Sequence, residues 1–222
     1  MVPLRDSTPS HHFPLVTVSL IIVNLYVFYY QTTLGTNGME QLIYTLGLVP
    51  SNYSHQLLLI NYLPFVTSMF LHGSWMHVIG NMWILWLFGD NVEDRMGKFK
   101  FLLFYLLCGV IAAFTHYYVN AASTVPVVGA SGAVAGVMGA YFLMFKKAKV
   151  LTFVPPFFLF NLPAWIYLGF WALSQLYSGT AGLVSTSVQP IAFWAHIGGF
   201  ASGMILYRFF LKSNSYSYND QI

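Results

Sequence analysis

Residues 129–145 read GASGAVAGVMGAYFLMF, a run in which Ser131, flanked by small residues, opens an apolar stretch without a single charge. Gly132, Gly136, Gly139 and Ala140 recur every three or four residues. On a helix they form a stripe of small side chains along which a second backbone can approach closely. The run is also short. At 1.5 Å per residue, 131–145 rises only about 22 Å, less than the roughly 30 Å of a bilayer core. If its far end reaches Lys146 at one membrane surface, its serine begins well below the other.

The rest of the chain has the same character. Of 222 residues, 57% are hydrophobic and 7% charged, against about a quarter charged in an ordinary soluble domain. So few charges cannot cover a water-soluble globule of this size. Five further apolar runs stand at about 13–30, 75–88, 101–119, 163–177 and 193–211, the fifth span beginning with Pro163 at a favourable first helical position. The fold class they predict is an all-α membrane protein, a bundle of six transmembrane helices in a lipid bilayer. The nine Lys and Arg residues fall before span one, between spans two and three, after span four and at the end of span six. By the positive-inside rule both termini are then cytoplasmic.

Between the spans, 32–74 is a long connection with apolar clusters at Leu42, Ile43 and Tyr44 and again at Leu57, Leu58, Leu59 and Ile60. It reads as a structured element on or partly in the outer leaflet, with a plain surface lid as the equal alternative. Residues 1–12 read as a solvated cytoplasmic tail that includes His11 and His12, and 213–222 as a polar, frayed one. No cleavable signal peptide is evident at the first run. The net charge of +3, without a basic stripe, points to no nucleic-acid partner. The single cysteine, Cys108, lies in an apolar run and reads as an inert buried thiol.

Polar groups inside spans are costly and therefore informative. His77 and Asn81 share a face of span two, Ser131 opens span four, and His196 lies near the start of span six. These three spans run in the same direction, so the four residues stand at a similar depth. Gly199 and Gly203 continue a small stripe beyond His196, and against Gly132 and Gly136 they would bring His196 to Ser131. A serine becomes a nucleophile when an imidazole takes its proton. His77, Asn81 and the backbone N–H of Ser131 can then donate to the oxyanion of the intermediate. Of the six acids only Glu40 lies on the outer side, with nothing tying it to His196, so the expectation is a Ser131–His196 dyad in a water-filled cavity. His55, His72 and His116 make no metal site, since His72 and His77 are five apart and off-face; His116 reads as an interfacial residue.

Taken together, three motifs resemble the rhomboid family of intramembrane serine proteases. Thr67 to Gly73 followed by His77 and Asn81 resembles its second-span HxxxN signature. Gly129-Ala130-Ser131-Gly132 resembles its GxSG, and Ala195-His196 with Gly199 and Gly203 its AHxxGxxxG; Gly89, Glu93 and Gly97 also match its pattern. The resemblance implies cleavage of single-span transmembrane protein substrates near the outer membrane face, admitted laterally near spans two and five. It implies Ser131 as nucleophile, His196 as base, His77, Asn81 and the Ser131 N–H as oxyanion hole, and no metal or cofactor.

Two positions depart from the family. Leu63-Pro64 stands where many members carry Trp-Arg in the first loop, and Ala135 where many carry an aromatic that stacks on the base. The orientation of His196 then falls to Trp194 or another aromatic. The competing readings are an inactive rhomboid-like binding module and, behind it, a transporter using intramembrane His and Asn as a proton relay. Without a transit peptide in evidence, the sequence points to a plasma or bacterial inner membrane rather than an organelle.

Overall fold

The short run of 129–145 becomes α6, Ser131–Met144, whose residues 132–141 are all buried. The computed structural model describes residues 1–53, 62–184 and 192–212. His55, the apolar cluster at 57–60 and the tail 213–222 lie outside the described residues. Around α6 stand α1 (Leu15–Thr33), α4 (Trp75–Met96), α5 (Lys98–Val119), α7 (Ala164–Val184) and α8 (Phe193–Phe210), while α2 (Gly35–Leu46) and α3 (Pro64–Thr67) belong to the first connection. α6 packs on α8, α5 and α4, α1 rests on α4, and α7 flanks α8.

Backbone contact explains the glycines. A Cβ at Gly199 would overlap the Gly132 carbonyl, and one at Gly203 the Gly136 carbonyl. On the α5 side, a Cβ at Gly132 would come within 2.6 Å of the Ala112 methyl. α6 is thus clamped between two helices with no room for side chains, which fixes the height of Ser131 against α8.

α4 continues to Met96 rather than ending near Phe88, because its acidic end caps another helix. α1 has no side-chain cap of its own. Glu93 instead accepts from Val16 N at 3.0 Å, Thr17 N at 2.8 Å and Thr17 Oγ1 at 2.8 Å. These satisfy donors that every helix start leaves open. Gly97, with φ +83°, ends α4 and turns the chain directly into α5.

The all-α expectation needs correction, and so does the reading of 1–12 as a solvated tail. β1 (Val2–Asp6), β2 (Lys149–Val154) and β3 (Phe158–Pro163) form an antiparallel sheet in that order. Asp6 pairs with Val150, and Val150 with Leu162. The β-branched and aromatic residues of 149–163 favour strands, but the stretch is too short to be seen beside the spans. Pro163 therefore closes β3, and α7 begins at Ala164 and runs to Val184, past the expected end at 177.

In its described residues the first connection is structured. Leu48 pairs with Val127, Ser51 N donates to Ser123 O, and Gly129 N donates to Ser68 O at 2.9 Å. This connection therefore grips the loop that delivers Ser131. Phe65, 2% exposed, anchors it, stacked on Phe114 at 4.2 Å and edge-on to Tyr53 and Tyr117. An aromatic cluster thus fixes the connection at the place where Leu63-Pro64 departs from the family pattern. Among the described residues, α1 and α5 are long and apolar enough to cross a membrane, and α6 is a shorter apolar helix.

Candidate active site

Ser131 is the first residue of α6, and His196 stands in the first turn of α8. The glycine contacts bring the two together, with His196 Nε2 2.8 Å from Ser131 Oγ. On the other side of the ring, His196 Nδ1 meets Gln175 Oε1 at 2.7 Å. Gln175 was not among the residues singled out from sequence. The signal was a polar side chain inside span five, which runs opposite to the three spans compared for depth.

Proton accounting fixes the roles. Ser174 Oγ donates its one hydrogen to Trp171 O at 2.6 Å, so toward Gln175 it can only accept. Gln175 Nε2 donates to it at 3.1 Å, which turns Oε1 toward the imidazole. His196 Nδ1 is therefore the donor, and Nε2 is left to accept from the Ser131 hydroxyl. The position that an acid would occupy is taken by a neutral amide. Glu40 is exposed on α2, in a separate surface groove.

Ala135 is fully buried in the α6–α8 contact, where an aromatic ring would have to displace a helix. Ring partners of His196 come from elsewhere: Trp171 lies tilted at 5.9 Å and Phe193 edge-on at 6.5 Å. Of the two alternatives, Trp194 or another aromatic, the second holds: Trp171 fills the role, one helical turn before Gln175 and so on the same face of α7.

The facing wall comes from α4. Ser74 caps its start by accepting from His77 N at 3.2 Å. Gly129, at φ +126°, lies so close that a Cβ there would stand 2.7 Å from His77 Nε2 and 3.5 Å from Asn81 Nδ2. Both side chains thus border the backbone entering Ser131. This makes Gly129 the position where a side chain would be both strained and obstructive.

His72, which the sequence offered only as a rejected metal ligand and a member of the Thr67 to Gly73 motif, also belongs to this site. Its ring lies 5.1 Å from that of His77, because it precedes α4 and is not bound by the helix's face. Asn81 Nδ2 donates to His72 Nε2 at 3.0 Å. Gln31 of α1 holds the His72 backbone at both ends, its Oε1 accepting from His72 N and its Nε2 donating to His72 O, each at 3.0 Å. Burial pushes the His72 imidazole down to about 3, helped by the neighbouring His77, so its Nε2 remains an acceptor.

Between these walls lies a cavity of about 760 Å³ lined by Ser131, His196, His77, Asn81 and His116. His116 is 8% exposed and lines this space. Among the described residues, no group of three or more His, Cys, Asp or Glu is placed to hold a metal. The arrangement offers a hydroxyl with an acceptor imidazole, side-chain donors beside it, and room for a peptide and water.

The chain is thus a helical bundle in which a serine–histidine pair lines a cavity. The family profile described as Rhomboid domain matches residues 61–213, and the chain belongs to the rhomboid family. It is 37% identical over 90 residues to the presenilin-associated rhomboid-like protein A, mitochondrial, of Danio rerio, covering 40% of this chain and 24% of that protein. It is 27% identical over 208 residues to the rhomboid-like protein 11, chloroplastic, of Arabidopsis thaliana, covering 91% of this chain and 68% of the relative. It is 29% identical over 151 residues to the rhomboid protein 1, mitochondrial, of Saccharomyces cerevisiae, covering 66% and 41%. The chain spans about a quarter of the length of the presenilin-associated relatives it matches. These names overturn the expectation of a plasma or bacterial inner membrane, since they belong to mitochondrial and chloroplast proteins. Apolar spans look alike in every bilayer, so the composition that reveals a membrane protein does not say which membrane.

Proposed function

We propose that the protein is an intramembrane serine protease of an organelle membrane, hydrolysing peptide bonds of single-span transmembrane substrates near the face opposite its Lys/Arg-rich loops. The observation that carries this reading is the 2.8 Å contact between Ser131 Oγ and His196 Nε2 beside the cavity. Residues 13–212 form the six-span unit, with 32–74 as its first connection and both termini on the Lys/Arg-rich face. Support comes from the helices α1, α4, α5, α6, α7 and α8 and from apolar side chains exposed on them, Ile22, Trp83, Leu103, Phe170 and Ile205 among them.

His196 Nε2 takes the proton of Ser131 as Oγ attacks the carbonyl carbon. The carbonyl π electrons move to the oxygen, and His77, Asn81 and the Ser131 N–H donate to it. When the intermediate collapses, the C–N bond breaks and His196 returns its proton to the leaving amine. Water, deprotonated by the same imidazole, then attacks the acyl-enzyme, and Ser131 leaves with the proton. Asn81 and His77 act only through hydrogen bonds.

The test uses detergent-purified protein, a fluorophosphonate probe and a transmembrane substrate with a helix-destabilised segment. Wild type is expected to be labelled and to cleave, Ser131→Ala to lose both, and His196→Ala to lose cleavage. Cleavage retained by either variant refutes the dyad. An unlabelled, inactive wild type makes the protein a rhomboid-like binding module instead.

A further inference from the structure

We infer that Gln175 is the positioning residue of this site, a neutral amide that locks His196 in the Nδ1–H tautomer the base requires; this rests on the dyad reading above. A neutral imidazole has two tautomers, and only one presents a lone pair to Ser131. Nothing at Ser131 itself selects it, because a hydroxyl can donate to or accept from either form. The selection comes from the opposite nitrogen.

There the chain of bonds has a fixed sense. The Trp171 carbonyl can only accept, so Ser174 donates to it. With its hydrogen committed, Ser174 accepts from Gln175 Nε2. That leaves Gln175 Oε1, an acceptor, 2.7 Å from His196 Nδ1. The opposite rotamer of the amide would set N–H against the nitrogen it must bond in the reactive tautomer and would leave Ser174 without its donor. Trp171, tilted against the imidazole at 5.9 Å, limits its rotation. One turn of α7 therefore sets both the tautomer and the orientation of a base that stands on α8.

When His196 takes the Ser131 proton, both ring nitrogens carry hydrogens, and the Nδ1–H bond to Oε1 persists. Gln175 gains and loses no proton. It differs from a carboxylate because it holds the imidazolium by a dipole and not by a charge. A carboxylate in its place would favour the protonated base. An opposite charge at such range raises an imidazole pKa by about 1–3 units.

The experiment measures kcat and KM for the same substrate from pH 5 to 9 in wild type, Gln175→Leu, Gln175→Glu, Ser131→Ala and His196→Ala. In triads oriented by a carboxylate, loss of the tautomer-setting group lowers kcat by about 10⁴. For a neutral partner we expect Gln175→Leu to lower kcat by about tenfold or more with KM little changed. Gln175→Glu, nearly isosteric, should recover much of that loss and move the acid limb of the kcat profile up by about one pH unit or more. A packing role alone would not move that limb. Wild-type kcat in Gln175→Leu, or an unmoved acid limb in Gln175→Glu, overturns the inference while inactive Ser131→Ala and His196→Ala leave the dyad standing. Activity retained by His196→Ala overturns the dyad itself, and the inference with it. If Gln175→Leu fails to fold, the limb of Gln175→Glu decides alone.

Discussion

A buried imidazole that stays neutral is a fixed acceptor, and His72 uses that property on Asn81. With burial pushing it down to about 3, well below the usual imidazole value, His72 is uncharged at neutral pH. Its Nε2 takes one hydrogen of the Asn81 amide at 3.0 Å, which leaves the other for an oxyanion. Asn81→Ala is expected to lower kcat/KM by about 10- to 100-fold, less than the loss of a sole donor, because His77 and the backbone remain. His72→Leu should lower it by about tenfold through misplacement of the amide, and the double variant should be no worse than Asn81→Ala alone. Steady-state kinetics on all three checks this, with thermal midpoints to identify a folding defect; strictly additive losses would separate His72 from Asn81. At this scale the sequence made Ser131, His196, His77 and Asn81 stand out as polar atoms at one depth in apolar runs. The roles of His72 and Gln175 escaped it for a physical reason. Gln175 is turned by Ser174 of its own helix but gains its role only where α7 meets α8, and His72 is held through its backbone by Gln31 of α1, a partner 41 residues away.

Helix positions were legible because an apolar run bounded by charges and turn residues records its own length, whereas the sheet was not, since its strands are stabilised by partners far away in sequence. β1 is the clearest case. Five residues of an N-terminal tail have no pattern of their own, yet Asp6 reaches into the bundle end, where its carboxyl accepts from Tyr141 Oη and from Asn91 Nδ2. Desolvation by burial raises the Asp6 carboxyl above the ordinary 3.8 despite these hydrogen bonds. The folded state therefore prefers the protonated acid. Its contribution to stability is fully present below pH 3.8 and is lost as the pH rises through the raised value. Asp6→Asn keeps an oxygen for Tyr141 and removes the charge, so it should be more stable than wild type at pH 7, with the advantage shrinking toward pH 4. Thermal unfolding in detergent at both pH values measures this, and a difference independent of pH would show that Asp6 carries no such cost.

For the whole molecule, the distribution of nine Lys and Arg residues and the folded topology agree on which connections share one end of the bundle. The charges cluster in alternate connections, which by itself is a statement about membrane insertion. The fold brings those connections together. β1 is bonded to β2, the end of α8 returns to α4 where Lys212 N donates to Arg95 O, and Lys100 donates to Leu211 O, so one end of the bundle carries the sheet and the basic groups. Ser131, His196 and the cavity lie toward the other end. If the bundle spans a bilayer, a probe that cannot cross it must distinguish the two ends. Phe157, 88% exposed between β2 and β3, and Tyr118, 86% exposed near the end of α5, are suitable markers, and the native Cys108 is fully buried and will not compete. In sealed organelle membranes, Phe157→Cys and Tyr118→Cys should react with an impermeant maleimide from opposite sides, Tyr118→Cys from the side onto which the cavity opens. Labelling of both from one side would refute the six-span arrangement while leaving the serine–histidine geometry untouched, because that geometry is set by α6 against α8 and not by the membrane.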